Sequence, residues 1–105
     1  MTLHEITSLI ISAIPNEPVH HYFSTETEKN YTYWEETERL PLMADDGHEE
    51  GWRFYVHRFT RRENDPVAVR LFAALDADPR VTVSETRDFD PESGYIHHIY
   101  RCEGV

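Results

Sequence analysis

The chain has 105 residues, of which 20 are acidic and 10 basic, for a formal charge of −10, and 12% are aromatic. That length holds one domain, residues 1–105, and the aromatic content argues against a disordered chain. The acidity argues against binding a nucleic-acid backbone or an anionic membrane, which repel so negative a surface; the lone cysteine, Cys102, excludes an internal disulfide.

The N-terminal stretch from Met1 to Ile14 carries Glu5 and no basic cluster, so it does not read as a secretory signal. No apolar run approaches the roughly 18 residues that a membrane span needs. Thr2-Leu3-His4-Glu5 reads instead as a capping box, followed by Leu3, Ile6, Ile10 and Ala13/Ile14 at helical spacing. Pro15 stops this helix, which is expected over residues 3–14.

Val19 to Phe23 is short and β-favouring, and Tyr31 to Glu36 has strong strand propensity. The two are expected as an antiparallel hairpin or as neighbouring strands. Glu36 to Gly51 reads as a long loop holding Leu40, Leu42 and Met43 beside the acidic run Asp45, Asp46, Glu49 and Glu50. Loops this long are uncommon in compact domains unless they work, so this one is either a docking loop or a local packing anchor.

Trp52 to Thr60 is the strongest strand. Trp52, Phe54 and Val56 share one face and Arg53, Tyr55, His57 and Phe59 the other. Neither face is purely polar, which predicts a central strand with helices on one side and a contact surface on the other. Asn64-Asp65-Pro66 starts a second helix, with Val67, Leu71, Ala74 and Leu75 as its apolar stripe and Asp78-Pro79 as its end. Arg80 to Phe89 and Tyr95 to Cys102 are strands joined by the turn Asp90-Pro91-Glu92-Ser93-Gly94, so they should pair as a hairpin. The expected fold is α+β, in the order α-β-β-loop-β-α-β-β: a mostly antiparallel sheet of four to five strands with two helices on one face.

Catalytic constellations are weak. Of the seven histidines, a set such as His21, His57 and His98 could converge across strands on a metal, but no spacing demands it. His98 and Cys102 share a strand face yet stand about 13 Å apart at ~3.3 Å per residue, too far for a nucleophilic pair. Arg61-Arg62 is the one compact basic pair, at a strand-to-helix turn, suited to solubility or to docking an acidic patch on a neighbour. The residues expected to serve interaction are Trp34, Leu42, Met43, Asp45, Asp46, Arg61 and Arg62; no catalytic, cofactor or metal residue is assigned.

Several stretches together resemble the small tail completion and tail terminator proteins of long-tailed bacteriophages. They are the strand Tyr31-Thr32-Tyr33-Trp34, then Ala44-Asp45-Asp46 with its acidic neighbours, the aromatic strand Trp52 to Phe59 with Thr60 and Arg61, the helix Val67 to Leu75, and the hairpin Asp88 to Arg101. The likeness spans about residues 19–102 and is one of order and chemistry rather than of a sharp motif. It implies a non-enzymatic, cofactor-free structural protein that forms rings, usually hexameric, and meets tail-tube and head-connector proteins. Its place would be the host bacterial cytoplasm during assembly and then the virion. An acidic ring would also let DNA pass without sticking. The alternatives are an acidic inhibitor or DNA mimic that binds a nucleic-acid enzyme, and a small metal-dependent enzyme using strand histidines.

Overall fold

The structure, a computed structural model, describes residues 1–24, 29–41 and 50–105. Its elements are α1 (Leu3–Ala13), β1 (Val19–His21), β2 (Tyr31–Arg39), β3 (Trp52–Thr60), α2 (Pro66–Ala77), β4 (Val81–Phe89) and β5 (Ile96–Gly104). This is the expected α+β order. Both helices lie on one side of a five-stranded sheet ordered β1-β2-β3-β5-β4. Among the described residues, no helix is long and apolar enough to cross a membrane.

Local chemistry sets the helix ends. At α1 the Glu5 amide donates to Thr2 Oγ1 at 3.1 Å and the Thr2 amide donates to Glu5 Oε1 at 3.0 Å, a complete capping box. At α2, Asp65 accepts from the Val67 amide at 3.3 Å and Pro66 fills the first helical position. The buried stripes Ile6, Ile10 and Ile14, and Leu71 and Leu75, close over Trp34, Phe54, Val56, Tyr100 and Cys102 from the sheet.

β2–β3, β3–β5 and β4–β5 pair antiparallel, but β1 and β2 pair in parallel, so the sheet is mixed. The hairpin form of the first two strands is therefore replaced by side-by-side neighbours. At the end of β1, Tyr22 adopts a left-handed φ of 76° while its amide still donates to Trp34 O at 2.7 Å. The chain leaves the edge there and must return to the start of β2, a short distance because β1 has only three residues. β2 also runs three residues beyond the expected strand, to Arg39, and the Leu40 amide donates to Gly51 O at 2.8 Å, which shortens the long loop.

The expected last hairpin forms. Asp90 organises its turn, accepting from the Glu92 amide and the Ser93 hydroxyl, and Gly94 takes a φ of 77°. β5 then inserts between β3 and β4, making β3-α2-β4 a split β-α-β unit with the last strand in its gap. At the far end of β5, Gly104 lies so close to Met1 that an added Cβ would stand 2.7 Å from Met1 Sδ.

One buried ion pair joins the sheet to α2. Arg58, 2% exposed, donates from Nε to Asp65 Oδ2 at 2.8 Å and from Nη1 to Thr32 Oγ1 at 3.2 Å, and Asp65 is itself 3% exposed. Removing one partner strands a charge in the interior, which costs more than the intact pair contributes. Asp65→Ala is expected to lower the unfolding free energy in urea by about 3–5 kcal/mol. Arg80→Ala, which breaks the solvent-exposed pairs with Glu5 and Asp78, should have a visibly smaller effect in the same assay.

Candidate functional site

Alternation along the strands fixes which side chains turn away from the helices. β2 contributes Tyr31, Tyr33 and Glu35, β3 contributes Tyr55, His57 and Phe59, and β5 contributes His97, Ile99 and Arg101. Cross-strand register brings these into one aromatic sheet: Tyr31 lies opposite Phe59, Tyr33 opposite His57, and Phe59 opposite His97. The Phe59 ring stacks at 4.6 Å on Tyr31 and 3.9 Å on His97, and Tyr33 stacks at 4.4 Å on His57. Tyr95 from the last turn meets Tyr31 and Phe59 edge-on, and the Arg61 guanidinium lies 4.0 Å from the Tyr95 ring centre.

At the centre, His57 Nδ1 and His97 Nε2 are 2.8 Å apart. A hydrogen bond at that distance needs one imidazole to donate and the other to accept, so the pair cannot hold two protons on facing nitrogens. Burial pushes the His97 pKa down to about 4, with the charge of His57 acting in the same direction. His57, 7% exposed, is lowered chiefly by burial and further by Arg101. Carboxylates pull the other way: Glu35 Oε1 lies 3.5 Å from His57 Nε2, and Asp88 stands opposite His97 on β4.

The charged rim is partly self-neutralised. Arg53 contacts both Glu38 and Glu103, the latter at 2.8 Å, and Arg101 donates to Thr86 Oγ1 at 2.7 Å. The centre of the face is therefore aromatic, with the His57–His97 pair flanked by the carboxylates of Glu35 and Asp88. Such a surface can do two things chemically: exclude water against a flat partner, and change charge when acidified.

The expected interaction residues are dispersed. Trp34 is a core residue, 1% exposed, with its ring edge-on to Phe54 at 6.3 Å, so the outward aromatic of that strand is its neighbour Tyr33. Arg61 is tied down, donating from Nε to Ser93 O at 3.1 Å while its amide donates to Asn30 Oδ1. Arg62 is exposed beside it. Leu42, Met43, Asp45 and Asp46 lie outside the described residues.

The histidine set His21, His57 and His98 does not converge. His57 is on the open face, whereas His98 points inward, 2% exposed, with Nδ1 3.0 Å from Glu85 Oε1. His21 sits on the edge strand, its Nε2 2.6 Å from Glu36 Oε2. Among the described residues, no three His, Cys, Asp or Glu side chains gather as metal ligands. The His57–His97 pair escaped the sequence because only the β3–β5 register, which joins residues 40 apart, brings the two rings together.

No family model matches the sequence, and no curated protein matches it significantly.

Two measurements follow from the buried groups. Folding keeps His97 deprotonated down to about pH 4, while the unfolded chain takes up that proton near pH 6.5. Stability is therefore full above about pH 6.5 and declines as pH falls toward about 4. His97→Gln should reduce the fall of the urea midpoint over that window, leaving the share of His57, which burial also lowers, and the carboxylate-driven loss at lower pH. Burial also pushes the Cys102 thiol up to about 12, so iodoacetamide at pH 8 should label it only after denaturant is added.

Proposed function

We propose that this chain is a structural assembly protein of the tail completion or terminator kind, associating with copies of itself and with tail-tube or head-connector proteins. The single observation behind this reading is the open sheet face. It is a continuous aromatic surface, and both helices pack on the opposite side. A face this apolar costs free energy while wet and gains it when covered.

Its dimensions bound the strength of the contact. Four nine-residue strands form most of the sheet. At ~3.3 Å per residue and ~4.8 Å between strands they present roughly 30 by 20 Å. Face-to-face burial would then total about 1,200 Å², the lower edge of specific interfaces. The contact is therefore reversible and concentration-dependent, as suits a subunit recruited late to an assembly. The first occupant is a sister copy, because the aromatic centre gives two identical faces apolar area to cover and Arg53 offsets part of the carboxylate charge at the rim.

Multi-angle light scattering and sedimentation from micromolar to near-millimolar protein test this. Mass should rise with concentration, and Phe59→Asp or Tyr33→Asp should shift the dissociation constant upward about tenfold or more with the fold intact. A chain that stays monomeric throughout, even with tail-tube protein added, would sink the reading.

A further inference from the structure

An open sheet has two edges, and the unpaired amides and carbonyls of an edge are a template for another strand. One edge of this sheet is β1, with three residues, and the other is β4, with nine. β4 keeps unbroken register with β5 from Val81 to Phe89 and holds neither proline nor lysine, so nothing of that kind blunts it. Its hydrogen-bonding parity is fixed at both ends. Arg80 O accepts from the Val105 amide at 2.9 Å, and the Asp90 amide donates to Tyr95 O at 3.0 Å, so the even-numbered residues bond to β5. The N–H and C=O groups of Val83, Glu85, Arg87 and Phe89 therefore point to the open edge, where no strand pairs with them among the described residues.

The side chains of the same residues lie on the helix side, in register with Cys102, Tyr100, His98 and Ile96. Phe89 is 65% exposed there, and the exposed Val69 and Phe72 of α2 line a groove of about 200 Å³ with Glu85 and Arg87. Charges pointing inward at an edge normally oppose pairing. These two have opposite signs and stand two positions apart, so they oppose some registers and favour one. In a symmetric antiparallel pair of β4 strands, the parity above sets odd residues opposite odd ones, and the two-fold axis passes through a residue. Centred on Glu85, two carboxylates face each other; centred on Arg87, two guanidiniums do. Centred on Ser84, Glu85 meets Val83 and Arg87 meets Val81. Centred on Thr86, Glu85 meets Arg87 of the second copy and Val83 meets its Phe89, each twice, while Ser84 meets Asp88. Within one chain Arg87 lies 3.3 Å from Glu85 yet stays largely exposed, so pairing brings a second carboxylate to a guanidinium still open to water.

We infer that β4 is a dimerisation edge, pairing antiparallel with β4 of a second copy about a two-fold axis at Thr86 and joining two five-stranded sheets into one. Each bonded pair exchanges two backbone hydrogen bonds. Residues directly opposite in such a pair share a face, so both helix layers stay on one side and the two aromatic faces lie side by side on the other. The contact is isologous and closes as a dimer. It uses none of the aromatic residues of the open face, so it goes beyond the face contact proposed above and does not depend on it.

Amide hydrogen exchange followed by NMR at increasing concentration tests it, in a Phe59→Asp background that disables the open face. The amides of Thr82, Ser84, Thr86 and Asp88 should be protected throughout. Those of Val83, Glu85, Arg87 and Phe89 should gain protection, about tenfold or more, only as sedimentation reports a dimer. Arg87→Pro removes one outward donor without touching the β4–β5 ladder, so it should leave the far-UV circular dichroism unchanged and abolish the dimer. Arg87→Glu and Glu85→Arg should each weaken dimerisation about tenfold, and an equimolar mixture of the two should restore it. Glu85→Arg also loses the contact with His98; should it fail to fold, Arg87→Pro decides alone. A dimer whose Val83, Glu85, Arg87 and Phe89 amides exchange as fast as in the monomer overturns the edge contact. A Phe59→Asp chain that stays monomeric while the wild type associates overturns it too, and leaves the face reading standing. Association untouched by Phe59→Asp but lost in Arg87→Pro removes the face reading and keeps the edge.

Discussion

The Arg58 guanidinium lies under the first turn of α2, and the carboxylate that meets it belongs to the residue that caps that helix. One side chain, Asp65, therefore answers two demands at once: an interior cation and an orphan amide at a helix start. Thr32 of β2 adds a third strand of attachment. The point where β2, β3 and α2 meet is thus fixed by polar geometry, and the side of the sheet that α2 covers is fixed with it. Parity does the rest. With Arg58 inward, Phe54, Val56 and Thr60 are inward too, and Tyr55, His57 and Phe59 must face out. A slip of one residue in β3 would exchange these sets and place Arg58 in water. The open aromatic face is in this sense a consequence of the clasp on the other side.

What could be read from the sequence was what neighbours in the chain decide among themselves. The Thr2–Glu5 capping box, the Asp65-Pro66 helix start and the Asp90–Gly94 turn each close within a few residues, and each is found in place. The double-faced character of residues 52–60 correctly marked a central strand with helices on one side. Trp34 was harder, because Tyr33 and Trp34 are both aromatic and alternation alone does not say which of them faces the core. The parallel pairing of β1 with β2 was not legible, because a three-residue strand carries no pattern that sets its direction, and the residue type of Tyr22 gives no warning of its left-handed φ. The His57–His97 pair depends on β5 lying beside β3, a long-range choice that no local pattern encodes.

Charge is distributed less simply than the total of −10 suggests. Arg80 bridges Glu5 of α1 and Asp78 at the end of α2, and Arg53 sits between carboxylates of β2 and β5. These exposed pairs contribute little to stability one by one. Their effect is on the surface field: they offset part of the carboxylate charge at the sheet rim.

The position of β5 has a consequence for how the protein comes to be folded. β3, α2 and β4 leave the ribosome before β5, and they cannot form one sheet by themselves because the place between β3 and β4 belongs to β5. Until residues 96–104 emerge, the two halves of the eventual core have no shared backbone ladder, and the aromatic residues of β3 stand without their neighbour. Joining β3 to β4 in one sheet therefore depends on β5, whose two edges carry both ladders.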